Sequence, residues 1–472
     1  MPGADTAELD ALLRLQRAAV NAQPYPDAAI RKDRLRRALD ATITNEKRII
    51  EATRADFGKR PELTTLAADL LYPVGHLRHA LKNVEKWMRV EKRKADFPFN
   101  ILGARAYVLY QPLGVVGIMA PWNLPFALGY APLAGVLAAG NRAMIKPSEL
   151  TPHTSALMAE ITSGNFDADE VSVVQGDLDT AAWFSALPFD HLIFTGGAPI
   201  ARHVMRAAAD NLTPVTLELG GKGPVILAPG ADVEKLAGKI VSVKLANAGQ
   251  ACIGLDHVRV HRSQLDAFVA AVRRRTAEYF PDYRNNPDLS NVFLEKQRTR
   301  LARIVEDAVA RGAEVEVLGG ERGDLAEDPA FPFVLLVDPP KDSMAMQDEI
   351  FGPVLPIVGY DRLEDVAAEI RAGERPLALY FFGGTRSQQD FMLRNTWSGG
   401  VTFDDTMLHA LTQDLPFGGV GHSGMGRYGG FAGFKTFSNA RSVAHPAKID
   451  LMALEPPYTE KMVATLRSLL KR

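Results

Sequence analysis

Apolar and polar positions change period along the chain, and each change marks a different layer. Over 7–92 apolar residues recur every three to four positions among many charges, as in LRRALDATI and LRHALKNVEKWM, which predicts a solvated layer of amphipathic helices. From Ala104 the stretch ARAYVLYQPLG alternates apolar and polar residues like an edge strand or hairpin. Continuously apolar runs follow, separated by helical patterns: GVVGIMA, a helix over 126–139, RAMIK, a helix from 151, VSVVQG, a short helix near 179–186, HLIFTGG, a helix over 199–209 and PVTLELGG. About five parallel strands with crossover helices make a doubly wound α/β unit. A second α/β series contains GPVILAP, DHVRVHR, AEVEVLGG, FVLLVD, VLPIVGY, LALYFFGG and GVTFDD, with the break near Gly220–Gly223. The ending PPYTEKMVATLRSLLKR predicts a short amphipathic helix with Met462, Leu466, Leu469 and Leu470 on one stripe, packed on its own chain or a sister subunit.

Length and composition bound the function. At 472 residues, 47% hydrophobic and 23% charged, the chain predicts a soluble protein of more than one domain. A net charge of −2 gives no reason to expect nucleic acid or an anionic membrane as partner. No run reaches the ~18 apolar residues of a membrane span, and MPGADTAELDALL lacks a secretory signal's basic and apolar regions, so a cytoplasmic protein is expected.

One cysteine, Cys252 in NAGQACIG, excludes an intramolecular disulfide and a thiolate zinc cluster, and the ten histidines show no HExxH spacing, so no metal is expected. A lone cysteine is more often a small buried hydrophobe than a reactive group. The single G-x-G-x-x-G match, Gly419–Gly424, stands near the C-terminus with no βαβ unit after it and reads as a Gly-rich surface loop. No Walker A sequence exists, so a cofactor in the first unit must be held differently.

Several distant stretches share one chemistry. IMAPWNLPF holds Asn123, MIKPSEL holds Lys146 and Glu149, TLELGGKGP holds Glu218, DEIFGPVLP holds Glu349 and Phe351, and NAGQAC, FTGG and PFGGVGHSG complete the set. In this order, with 34 positions between Glu218 and Cys252, they resemble the aldehyde dehydrogenase superfamily over nearly the whole chain. MIKPSELTPHTSALMAE and the ending from VTFDD look most similar to the class 3 branch, and within it to coniferyl aldehyde dehydrogenases. The resemblance implies a Rossmann-type NAD-binding domain with the helical layer (1–103 and 113–220), a catalytic domain (221–425) and a bridging appendage (104–112 and 426–472) that pairs subunits into a homodimer.

The residue types suit this reaction. A thiolate adds reversibly to a carbonyl carbon, so Cys252 is the candidate nucleophile, in a site expected to favour the anion. By resemblance, Asn123 and the Cys252 backbone N–H hold the oxyanion. Glu218, partly desolvated on PVTLEL, is the candidate base for the water that cleaves the thioester. The resemblance further implies Trp122, Lys146, Glu149, Thr195, Gly196, Gly197, Glu349 and Phe351 as cofactor contacts; the family's usual Ser is Gly at 197. Glu149 should repel a 2′-phosphate, favouring NAD, although class 3 relatives accept NADP as well. Leu408, His409 and Leu411 are expected to line the substrate tunnel. Aromatic aldehydes such as coniferaldehyde are the first expectation and medium-chain aliphatic aldehydes the second. A CoA-acylating enzyme is disfavoured by Glu218, and a silent binding protein by the presence of Cys252, Asn123 and Glu218 together.

Overall fold

The computed structural model describes residues 6–97, 99–320, 325–447 and 456–470. Its strands are β1 (Glu91–Arg93), β2 (Arg105–Pro112), β3 (Val115–Met119), β4 (Arg142–Lys146), β5 (Val171–Val173), β6 (His191–Thr195), β7 (Val215–Glu218) and β8 (Pro224–Leu227). They continue with β9 (His257–His261), β10 (Glu314–Leu318), β11 (Phe333–Val337), β12 (Val354–Tyr360), β13 (Ala378–Phe382), β14 (Gly400–Phe403), β15 (Gly424–Met425) and β16 (Ser438–His445).

The first apolar series builds a six-stranded sheet, β15-β7-β6-β3-β4-β5. Every residue of β3, β4 and β6 is buried, because parallel strands covered on both faces have no solvent side. β4 and β5 run outward on one side of β3 while β6 and β7 lie on the other, so the chain reverses its direction of travel beside β3. Open sheets bind ligands at the carboxyl ends of strands at such a point. There β3 leads into Trp122 and Asn123, and β6 into Gly196 and Gly197. The second series builds a seven-stranded sheet, β10-β11-β12-β9-β8-β13-β14, parallel except for β10.

Two expectations need correction. The alternating segment 104–112 is no edge: β2 is the middle strand of an antiparallel sheet β1-β2-β16, which leaves β1 and β16 at the rims. The N-terminal helices form the amphipathic layer expected, solvated on one side and packed on the other. Leu35, Ala38, Ile49, Leu77 and Val84 are fully buried in one core with the all-apolar helix Ala127–Ala139, whose ALGYAPLAGVLAA sequence buries nearly every side chain. The Gly419–Gly424 run is not a surface loop. Phe417, Gly418, Gly419, Ser423 and Gly424 are buried, and β15 pairs antiparallel with β7, Gly424 opposite Glu218. No helix among the described residues is long and apolar enough to cross a membrane. The C-terminal helix forms over Glu460–Leu469; Met462 and Leu466 are half-buried and Leu470 is exposed.

Candidate active site

Cys252 follows a tight loop. Asn247, Ala248 and Gly249 all have left-handed backbones, φ 49°, 54° and 72°. Such strain persists only where surrounding contacts over-determine it. A side chain at Gly249 would put Cβ 2.4 Å from the Gly352 carbonyl oxygen, so only glycine lets the two backbones meet. The loop is tied to Asn123 by its own amides: Asn123 Nδ2 donates to the Gln250 carbonyl at 3.0 Å, and Asn247 Nδ2 donates to the Asn123 carbonyl at 3.1 Å. Gln250 Nε2 donates to the Asn247 and Asn291 carbonyls at 2.9 and 3.1 Å. Beyond the cysteine, the Tyr380 hydroxyl donates to the Ile253 carbonyl at 2.6 Å. Burial, then the carboxyls of Glu349 and Glu218, push the Cys252 thiol up to about 12. Low polarity and the two carboxyls thus work against the thiolate expected at this site, so the proton leaves as the sulfur reacts.

Glu218 ends β7 and is 3% exposed. Neither carboxyl oxygen has a hydrogen-bond partner among the described residues. Burial raises the carboxyl well above its ordinary range, opposed by the charge of Arg427. Its backbone is fixed, the carbonyl accepting the Gly196 N–H at 3.0 Å. The Gly-rich run forms the wall beside the carboxyl, since a Cβ at Gly418 would lie 2.9 Å from Glu218 Oε1. Tyr72 and Tyr428 share a hydroxyl–hydroxyl hydrogen bond of 3.1 Å, and both phenols are raised by burial and by the nearby groups of Cys252 and Glu218. Neither tyrosine was found from sequence, because single aromatics within apolar patterns read as core; no local signal marks them.

The positions expected to contact the cofactor fall in two groups. Lys146, at the end of β4, is buried, and its Nζ donates to the Pro147 carbonyl at 2.8 Å and to Glu149 at 3.2 Å. Glu149 shares a concavity with Pro147, Ser148, Ser155, Gln175 and Asp177, where Gln175 Oε1 is buried without a partner among the described residues. Thr195 ends β6, and Gly197 caps the helix Ala198–Ala209, whose N-terminal amides suit a phosphate. A Cβ at Gly197 would meet nothing nearer than Pro199 Cδ at 3.8 Å, so this helix end is open to a ligand.

In the second group the Glu349 carboxyl lies against Gly220 and accepts the Gly221 N–H; burial pushes it up to about 7. Phe351 has φ 47° and meets the Trp122 ring edge-on at 5.6 Å. An open helix N-terminus, an orphaned amide oxygen and carboxylates in both groups fit a nicotinamide dinucleotide. Of the expected substrate positions, Leu408 and Leu411 are about half exposed, while His409 Nδ1 bonds the Thr402 hydroxyl at 2.8 Å and its ring lies 6.0 Å from Tyr380.

A profile of the aldehyde dehydrogenase family matches residues 1–443. The chain belongs to the aldehyde dehydrogenase family. It is 44% identical over 465 residues to the coniferyl aldehyde dehydrogenase of Pseudomonas sp., covering 98% of this chain and 95% of that one. Among solved structures it is similar to the substrate-bound state of Staphylococcus aureus AldH, with TM-score 0.90 and 32% identity over 98% and 99% of the two chains. It is also similar to Mycobacterium tuberculosis aldehyde dehydrogenase complexed with NAD+, with TM-score 0.84 and 27% identity over 95% and 92%. The chain is thus an aldehyde dehydrogenase that uses a nicotinamide cofactor, on the α/β fold the motifs implied.

Proposed function

We propose that this aldehyde dehydrogenase oxidises a coniferyl-type aromatic aldehyde to its carboxylic acid with NAD, through a thiohemiacetal and a thioester on Cys252. The observation that carries the reading is the buried Glu218 carboxyl, without a hydrogen-bond partner among the described residues and close enough to the Cys252 thiol for its charge to act on it. The Cys252 thiol gives its proton to solvent as Sγ bonds the carbonyl carbon, and Glu218, its carboxyl raised above the ordinary range by burial, is kept for the water of the later step. The carbonyl oxygen becomes an oxyanion, held by the Cys252 backbone N–H and by Asn123, whose amide nitrogen carries a second N–H beyond the one given to Gln250. Bound in the cleft, NAD supplies the acceptor for the hydride that leaves this carbon. Glu218 then takes a proton from water as its oxygen attacks the thioester carbon, and Cys252 departs with the acid released.

Lys146 and Glu149 serve the adenosine ribose, Thr195, Gly196 and Gly197 the pyrophosphate, and Trp122, Glu349 and Phe351 the nicotinamide end. Glu149 supports NAD over NADP, since a carboxylate repels a 2′-phosphate. The aromatic substrate class is supported by the 44% identical coniferyl aldehyde dehydrogenase and by the rings of Tyr428, Phe417, His409 and Tyr380, in successive contact at 5.4, 6.5 and 6.0 Å. Leu408, His409 and Leu411 belong to the tunnel in this reading. A comparison of kcat/KM tests it: coniferaldehyde should exceed medium-chain aliphatic aldehydes by tenfold or more, and an equal or reversed preference would refute the aromatic assignment. A reduced single thiol supports a cytoplasmic setting, and the free rims of β14 and β16 support a homodimer.

A further inference from the structure

We infer that Asp69 and Arg60, a buried ion pair in the N-terminal helical layer, are positioning residues for Asn123; this rests on the oxyanion role proposed above. The two side chains are fully buried, with Arg60 Nη2 donating to Asp69 Oδ2 at 2.5 Å. The other carboxylate oxygen, Oδ1, accepts the backbone N–H groups of Phe126 and Ala127 at 3.1 and 3.2 Å. These begin the helix Ala127–Ala139, whose N-cap, Phe126, has no capping side chain. Unpaired N–H groups at a buried helix start need an acceptor, and here it comes from 57 residues upstream.

The consequence falls on the segment between β3 and this helix. Its front is fixed by the Ala120 N–H donating to the Lys146 carbonyl at 3.0 Å, and its back by Asp69. Asn123 stands between the two anchors. Arg60 reaches the same segment by a second route. Its guanidinium lies over the Phe57 ring at 4.4 Å, Phe57 packs on Phe293 at 4.5 Å, and Phe293 meets Trp122 at 5.6 Å.

Two features separate this pair from a plain stabilising contact. Arg60 Nε and Nη1 are buried with no partner among the described residues, and a buried pair left so incomplete is poor value against apolar packing. Asp69 also lies in a π-helix, Thr65–Leu71, a wide turn that is rare overall and frequent at functional sites. Tyr72, the next residue, bonds Tyr428 beside the thiol.

A double-mutant cycle on the full-length enzyme decides the matter, reading the pre-steady-state NADH burst with saturating NAD and coniferaldehyde. Asp69→Ala should slow the burst about tenfold or more while the Kd for NAD, followed by fluorescence, stays within twofold. In an Asn123→Ala background the same change should cost less than twofold, because the group it positions is gone. Should Asp69→Ala not fold, Arg60→Met, which keeps Oδ1 as acceptor, is expected to show the same non-additivity with a smaller loss. An equal loss in both backgrounds, or NAD binding weakened in step with the burst, overturns the inference. If Asn123→Ala alone leaves the burst unchanged, the oxyanion reading fails first, and this inference falls with it.

Discussion

A carboxyl buried with no partner is expensive, and Glu218 carries that cost beside the only thiol in the chain. Its raised pKa fixes the sign of two effects. The neutral carboxyl's contribution to stability is complete below its ordinary value of 4.5 and is lost as pH rises through the raised one. Glu218→Gln, neutral throughout, should therefore melt above wild type at pH 8 and match it near pH 4; thermal unfolding at the two pH values checks this. Kinetically, the substitution should slow steady-state turnover about a hundredfold. A normal NADH burst would assign that loss to deacylation, whereas equal loss of both phases would remove the base role from that step. Cys252, Asn123 and Glu218 were legible because each sits in a motif that dictates residue type and interval. The thiol's protonation was not, because it depends on burial and on Glu349, 97 positions away.

Strands show the same division. Apolar runs such as RAMIK and FVLLV announce themselves, since a strand covered on both faces has no polar side, and every residue of β4 is buried. The two-residue β15 has no period, so GGVGHSG read as surface although it walls Glu218. Gly424 is tightly specified there: its φ is 138° and a Cβ would come 2.0 Å from the Leu217 carbonyl oxygen. Gly424→Ala should destabilise the enzyme by about 2 kcal/mol or more and reduce turnover together with it, measured by denaturant unfolding beside steady-state assay. Unchanged stability would show that β15 is not closely held.

At the scale of the molecule, two successive α/β series were readable from where apolar runs stop and start, and they build two separate sheets. What sequence missed is how the units touch. Tyr72 and Tyr428 come from segments with no shared pattern, and the core they share with Cys252 brings them together. The proposed dimer would pair through strand rims. β16 is paired along all eight residues on its β2 side and, among the described residues, has no strand on the other, and β14 ends the seven-stranded sheet. Light scattering should give a dimer, and a proline at Ala440 or Val443 in β16 should shift the mass toward the monomer; a wild-type monomer would contradict this.

The central claim is covalent capture of the carbonyl carbon by Cys252, and mass spectrometry of a quenched reaction tests it most directly. Glu218→Gln enzyme mixed with NAD and coniferaldehyde, stopped in acid after the burst and digested, should carry the acyl group of the product acid on the peptide containing Cys252. A burst of NADH with that peptide unmodified would contradict the account.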